Sequence, residues 1–245
     1  MIIWKKVKKN YFKNQNTNAH NSKKWLSIVS SRLKLNFLSL KNKDYLNEYL
    51  SSSPLPIMLV SENKNKVEIA DFGSGSQEIF FQLSLMNLKK KKIKIDSIEV
   101  ETLVKFLKKK KFNTKNLKIN FLEEFNFEKK YDYVHIGNSL QYVTDWKNFL
   151  KKINFNEHKF IILNCSSIGK IKTYFAKQIF YGQEIPYTFF SIKEICKLLN
   201  NYDLVSNNLY LNKVLGKYGG VPQNNFKKVD RIGFPKTLIF KHKRI

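Results

Sequence analysis

Between Val67 and Gln77 the sequence reads Val-Glu-Ile-Ala-Asp-Phe-Gly-Ser-Gly-Ser-Gln: an apolar run that ends in an acid and two closely spaced glycines. Gly73 allows a sharp turn, and Gly75 lets a ligand approach the backbone. Amides at the start of a following helix would then face that ligand. Dinucleotide sites place a pyrophosphate at such a turn and use G-x-G-x-x-G. Here the sixth position is Glu78, a carboxylate where the phosphate would sit, and this disfavours NAD and FAD. Asp71, two positions before the first glycine, suits a different ligand, since it can accept a hydrogen bond from the α-ammonium of a methionine-type moiety. Glu99, in Ile98-Glu99-Val100, can take both hydroxyls of a ribose, as the acid on the second strand of Rossmann sites does. Asp96 competes for that role, but Glu99 lies nearer the strand's C-terminal end. Singly, these residues also fit an ordinary turn and a solvated acid. Their placement on successive strand ends argues for cofactor binding.

The elements around the turn must put both acids at one edge of a sheet. Alternating strand and helix patterns from Lys66 onward predict a mostly parallel α/β sheet covered on both faces. The strands expected are Val67–Phe72, Ile93–Val100, Leu117–Leu122, Tyr131–Gly137, Lys159–Asn164, Leu204–Leu211 and Thr237–Lys241. Helices are expected over Ser76–Asn87, Glu101–Lys109, Asp145–Lys152 and Ser191–Asn200, the last with Ser191 and Glu194 spaced as a capping box. Upstream, Ser22 is placed to cap a helix over Lys23–Lys34, where Trp25, Leu26, Val29 and Leu33 recur at helical spacing. Further short helices are expected at Asp44–Leu50 and Pro54–Val60, and residues 1–20 read as a polar lead-in. The organisation expected is an N-terminal arm and helical cap over 1–60, followed by a Rossmann-like domain over 61–245.

Composition narrows the function classes. The 245 residues carry a formal charge of +26, yet almost all the positive charge is Lys, the arginines being Arg32, Arg231 and Arg244. Arg is favoured for bidentate phosphate and base contacts. Its scarcity, beside abundant Asn, Ile and Phe, favours a compositional origin for the charge over a dedicated nucleic-acid face. No apolar run approaches the ~18–20 residues of a membrane-spanning helix, and no signal-peptide pattern opens the chain. Two cysteines, Cys165 and Cys196, are too few for a disulfide framework or a Cys-rich zinc site. A cytoplasmic setting without a metal is the expectation.

Asp71-Phe72-Gly73-Ser74-Gly75 resembles motif I of the class I S-adenosylmethionine methyltransferases, acid-x-Gly-x-Gly-x-Gly, with Gln77 in place of the third glycine. Two longer stretches, Tyr131–Trp146 and Ile179–Ser191, resemble a family of methyltransferases encoded beside bacterial surface-polysaccharide genes. The resemblance runs from about residue 22 to the C-terminus. It implies a Rossmann-like sheet of about seven strands, S-adenosylmethionine as cofactor, and a small molecule or sugar as methyl acceptor. After the fifth strand that family tends to have an Asp-Arg pair where this chain has Asn164-Cys165.

The residues expected at the cofactor are Asp71, Gly73, Ser74, Gly75 and Glu99, with Asn138 and Gln141 after the fourth strand. Glu123 and Glu124, after the third, fit either an adenine contact or an exposed position. Methyl transfer depends on holding the acceptor in line, and a hydroxyl acceptor also benefits from a base. Candidates for that work are Asn138, Tyr142, Tyr181 and Tyr187, with His135 reading as a buried polar residue ahead of a base. The Tyr181–Tyr187 segment fits a lid, an acceptor wall or a packed loop. An RNA methyltransferase and a non-catalytic protein that keeps the fold are the alternatives.

Overall fold

A computed structural model describes residues 4–8, 10–11, 20, 22–42, 53–86, 88, 91–112, 114–180, 183–209, 221 and 223–245. In chain order the elements are β1 (Trp4–Val7), α1 (Lys23–Asn42), α2 (Leu55–Val60), β2 (Lys66–Phe72), α3 (Glu78–Leu85), β3 (Lys92–Ile98), α4 (Glu101–Leu107), β4 (Leu117–Leu122) and β5 (Tyr133–Gly137). There follow α5 (Trp146–Phe155), β6 (Phe160–Ser166), β7 (Ile168–Gly169), β8 (Tyr174–Phe180), β9 (Gln183–Ser191), α6 (Ile192–Leu198), β10 (Tyr202–Leu209) and β11 (Lys236–His242). Seven strands form one sheet in the order β10-β11-β6-β5-β2-β3-β4. The pairs β2–β3, β3–β4 and β2–β5 are parallel, and β10–β11 is antiparallel. The chain winds outward from β2 through β3 to β4 and then returns to β5 on the other side of β2. Strand order therefore reverses between β2 and β5, and open α/β sheets bind ligands at the carboxyl ends of strands flanking such a reversal.

Contacts divide the chain into two units. The first comprises residues 20–137 and 158–162. Its interior is built from Val67, Ile69 and Ala70 of β2, Ile93 and Ile95 of β3, and Ile79, Phe80, Phe81 and Leu83 of α3, all buried. A chain of edge-on aromatic contacts extends this core, with Phe37 against Phe81 at 4.9 Å, Phe80 against Phe112 at 5.2 Å, and Phe112 against Phe121 at 5.3 Å. Helix α1 begins as expected, with the Trp25 amide donating to Ser22 Oγ at 3.1 Å. It continues past Lys34 to Asn42, and its buried stripe is Val29, Leu33 and Asn36. A polar residue at the next stripe position makes the apolar pattern seem to stop early. Asn36 is buried because its amide donates to the Ser76 carbonyl at 2.9 Å, which ties α1 to the glycine turn. The helix expected at Asp44–Leu50 lies outside the described residues.

The second unit comprises residues 1–19, 138–157 and 163–245. It contains a four-stranded sheet, β1-β8-β9-β7, that the strand–helix alternation did not reveal. Strands β8 and β9 form an antiparallel hairpin, and β1 pairs with β8, Trp4 lying opposite Gln178. Trp4 is thus part of a sheet and not of a polar lead-in. Its indole packs at 5.5 Å from Tyr187 and 6.0 Å from Phe189, in a cluster with Tyr174 and Phe226. One bulky side chain fixes the strand; its neighbours Lys5 and Lys6 are exposed. Helix α6 starts at Ser191 as expected, but the capping box is absent. Ser191 makes no side-chain cap bond; instead its own amide donates to Thr173 Oγ1 at 2.9 Å. Glu194 is drawn away by Thr173 and Lys147.

Because Trp4 is 5% exposed within this aromatic cluster, Trp4→Ala is expected to cost about 3–5 kcal/mol, the range for truncating a buried Trp. Chemical denaturation measures it. A change within about 0.5 kcal/mol, the usual effect of a surface substitution, would restore the lead-in description.

Candidate cofactor site

Asp71, the penultimate residue of β2, lies in register with Ser97 of β3 on one side and with His135 of β5 on the other. Neighbours in register share a face of the sheet, so a polar row crosses the interior just below the strand ends. All three side chains are buried. His135 Nδ1 lies 2.8 Å from Asp71 Oδ1, and His135 Nε2 lies 3.3 Å from Ser53 Oγ. Ser53, in the segment preceding α2, also accepts from the Leu55 amide at 3.3 Å.

Above that row the chain turns. The Gly73 amide donates to the Ile98 carbonyl at 2.9 Å, which pins the turn to β3. Gly73, Gly75 and Gln77 have φ of 70°, 53° and 61°, a left-handed conformation that costs a residue with a Cβ roughly 1–2 kcal/mol. Gln77 holds the conformation expected of the missing third glycine. Its amide Nε2 donates to Ser74 Oγ at 2.7 Å, while its buried Oε1 has no partner among the described residues. A Cβ built on Gly75 meets nothing within 4 Å among the described residues, which leaves room for a close approach at that position. Ser97 Oγ lies 2.7 Å from Ser74 Oγ, and Ser74 Oγ lies 3.4 Å from Glu99 Oε1.

Glu99 follows β3 directly, and one of its carboxylate oxygens accepts the Gly75 amide. Burial pushes its pKa up to about 7, against the pull of the Gly75 amide, and the nearby Asp71 carboxylate adds to the rise. A ligand hydroxyl that donates to Glu99 would favour the charged form. Asp96 is not free for this role. It accepts from Asn120 at 2.7 Å, Lys129 at 2.7 Å and Tyr131 at 3.0 Å. Burial would raise its pKa, but Lys129 and the other bonds outweigh burial and hold it below the usual carboxylate value.

The first unit therefore brings together Asp71, Gly73, Ser74, Gly75, Glu99 and His135. It adds Ser53, Ser97 and Asn36, which the sequence reading did not single out. Ser97 was detectable, standing two residues before Glu99 and in register with Asp71; Ser53 gave no signal. Glu123 and Glu124 lie beyond β4 with exposed side chains. Asn138, Gln141, Tyr142 and Tyr187 belong to the second unit. Asn138 has φ 51°, and the Gln141 amide donates to its carbonyl at 2.8 Å. Tyr142 donates to Gln178 Oε1 at 2.9 Å, and the Tyr187 hydroxyl is bonded to Ser167. Asn164 accepts the Thr237 hydroxyl at 2.7 Å. Tyr181 lies outside the described residues. Elsewhere in the first unit a cavity of about 710 Å³ is lined by Lys94, Lys108, Lys110 and Lys129 with Phe112 and Phe121. No helix among the described residues is long and apolar enough to cross a membrane.

The fold is similar to that of solved S-adenosylmethionine-dependent methyltransferases. A protein of Listeria monocytogenes assigned to that class superposes with a TM-score of 0.51 at 10% identity, over 82% of this chain and 100% of the other. A methyltransferase from Clostridium acetobutylicum gives a TM-score of 0.48 at 15% identity, over 83% and 95% of the two chains. The 1,6-didemethyltoxoflavin N1-methyltransferase of Burkholderia thailandensis, solved with S-adenosylhomocysteine, gives 0.46 at 13% identity, over 87% and 88%. No protein-family model and no curated protein matches the sequence.

The raised pKa of Glu99 has a consequence for stability. The folded state holds this proton up to about pH 7 and the unfolded chain only to about 4.5. Glu99's contribution is therefore complete below the lower value and is lost as pH rises to the upper one. Glu99→Gln, which cannot ionise, is expected to gain on the wild type across that window and to hold a constant advantage above it. Urea unfolding from pH 4 to 8 measures the gap; a gap independent of pH would remove the buried-carboxylate description.

Proposed function

We propose that the chain is an S-adenosylmethionine-dependent methyltransferase acting on a small molecule or sugar. The carrying observation is the pairing of Asp71 and Glu99 on successive strand ends around the left-handed turn at Gly73, Gly75 and Gln77. S-adenosylmethionine supplies an electrophilic methyl group. Asp71 accepts the ammonium of its amino-acid end, Glu99 accepts the ribose hydroxyls, and the open face of Gly75 admits the adenosyl group to the backbone. Two carboxylates in an otherwise strongly basic chain suit a ligand that carries a sulfonium and an ammonium against one carboxylate. Conformation at Gln77 supports retention of the turn despite the lost glycine. The resemblance to polysaccharide-associated methyltransferases supports a sugar or glycan-precursor acceptor, and transfer then depends on holding that acceptor in line.

A second reading, an RNA methyltransferase, draws on the cavity's Lys94, Lys108 and Lys110 beside Phe121, since lysines and aromatic rings together suit single-stranded nucleic acid. Transfer of labelled methyl groups to RNA, set against transfer to low-molecular-weight extract, separates the two. Ligand binding without transfer to either class of acceptor would indicate the non-catalytic alternative.

Thermal unfolding tests the cofactor first. S-adenosylmethionine or S-adenosylhomocysteine at about 100 times its Kd is expected to add about 2.7 kcal/mol, a rise of about 5–10 °C, and NAD is expected to add nothing. No shift with either adenosyl ligand would count against the proposal. Binding should also depend on pH. With Glu99 near 7 in the free protein, Kd is expected to rise about tenfold for each pH unit below that value, because the proton must leave before the ribose can donate. The dependence should flatten above 7 and vanish in Glu99→Gln.

A further inference from the structure

The bonds of the buried row give His135 a definite task. Ionised Asp71 can only accept, so the contact with His135 Nδ1 at 2.8 Å requires Nδ1 to carry a proton. In the neutral ring Nε2 then accepts, and Ser53 Oγ at 3.3 Å donates to it while using a lone pair for the Leu55 amide. Polarity thus runs one way, from Ser53 through His135 to Asp71 Oδ1. Space for the ring is provided by Gly137, where a Cβ would lie 3.0 Å from His135 Cε1. The ring bonds Oδ1 alone, so the second carboxylate oxygen of Asp71 remains for another donor.

We infer that His135 is a positioning residue for Asp71: it holds one carboxylate oxygen so that the other meets the ligand's α-ammonium, and Ser53 anchors the far nitrogen of the ring. The inference rests on the adenosyl-cofactor reading above. His135 here touches neither the methyl group nor the acceptor. Its effect is confined to the amino-acid end of the ligand, and this separates it from a residue that merely supports the fold.

The test compares S-adenosylhomocysteine, which carries the ammonium, with 5′-methylthioadenosine, which has the adenosyl group and no amino-acid end. Calorimetry at pH 8 would give both affinities for the wild type, His135→Phe, His135→Asn and Gly137→Ala. His135→Phe keeps a ring and removes the donor. It is expected to weaken S-adenosylhomocysteine about tenfold, the scale of one bond to a charged group, with 5′-methylthioadenosine unchanged. His135→Asn restores an N–H near the Nδ1 position and should recover most of the loss. Gly137→Ala displaces the ring and should lower the same ratio with Asp71 and His135 both intact. Should His135→Phe not fold, the other two variants carry the comparison. Equal weakening of both ligands, or no weakening of S-adenosylhomocysteine in any variant, would overturn the inference. Failure of the wild type to bind either ligand would instead overturn the cofactor reading.

Discussion

A carboxylate inside a parallel sheet needs at least one strong partner, since an unpaired buried charge costs several kcal/mol after relaxation. Asp71 is 2% exposed, and the structure around it answers that constraint. His135 stands opposite it in register, Ser53 holds His135, and Gly137 leaves room for the ring. Beyond Asp71 the chain turns through left-handed residues, Ser97 and Ser74 join hydroxyls, and α1 reaches the turn through Asn36. The acid sits at the reversal of strand order.

The electrostatics of the turn run against those of the chain. With 45 Lys and Arg against 19 Asp and Glu, several acids pair with lysine, as Glu62 does with Lys159 and Asp132 with Lys64. Asp71 is bonded to an imidazole, and Glu99 to a backbone amide and a hydroxyl. No lysine is ion-paired with either acid among the described residues. Burial, with the Asp71 carboxylate nearby, raises the Glu99 pKa.

Much of the first unit was legible because its signals are local. The run Val67–Phe72 followed by Gly73 and Gly75 specifies a strand and a turn, and Glu99 follows from the next strand's end. What escaped the sequence depends on contacts between distant segments. Asn36 looked like the end of an apolar stripe because its partner, Ser76, is remote in the chain. Ser53 sits beside Pro54 and looked like a breaker, yet it bonds a residue of β5. In the second unit, β1 is Trp4 and a half-buried Val7 around two exposed lysines, too short a pattern for periodicity to identify a strand. The capping box at Ser191 failed because Thr173, just ahead of β8, competes for both of its members.

The most direct test of the account is a crystal structure with S-adenosylhomocysteine. It is expected to place the amine on the oxygen of Asp71 that His135 does not hold, the ribose hydroxyls on Glu99, and the adenosyl group over Gly75. Ligand density elsewhere, or an amine turned away from Asp71 with the Ser53–His135–Asp71 bonds intact, would contradict it.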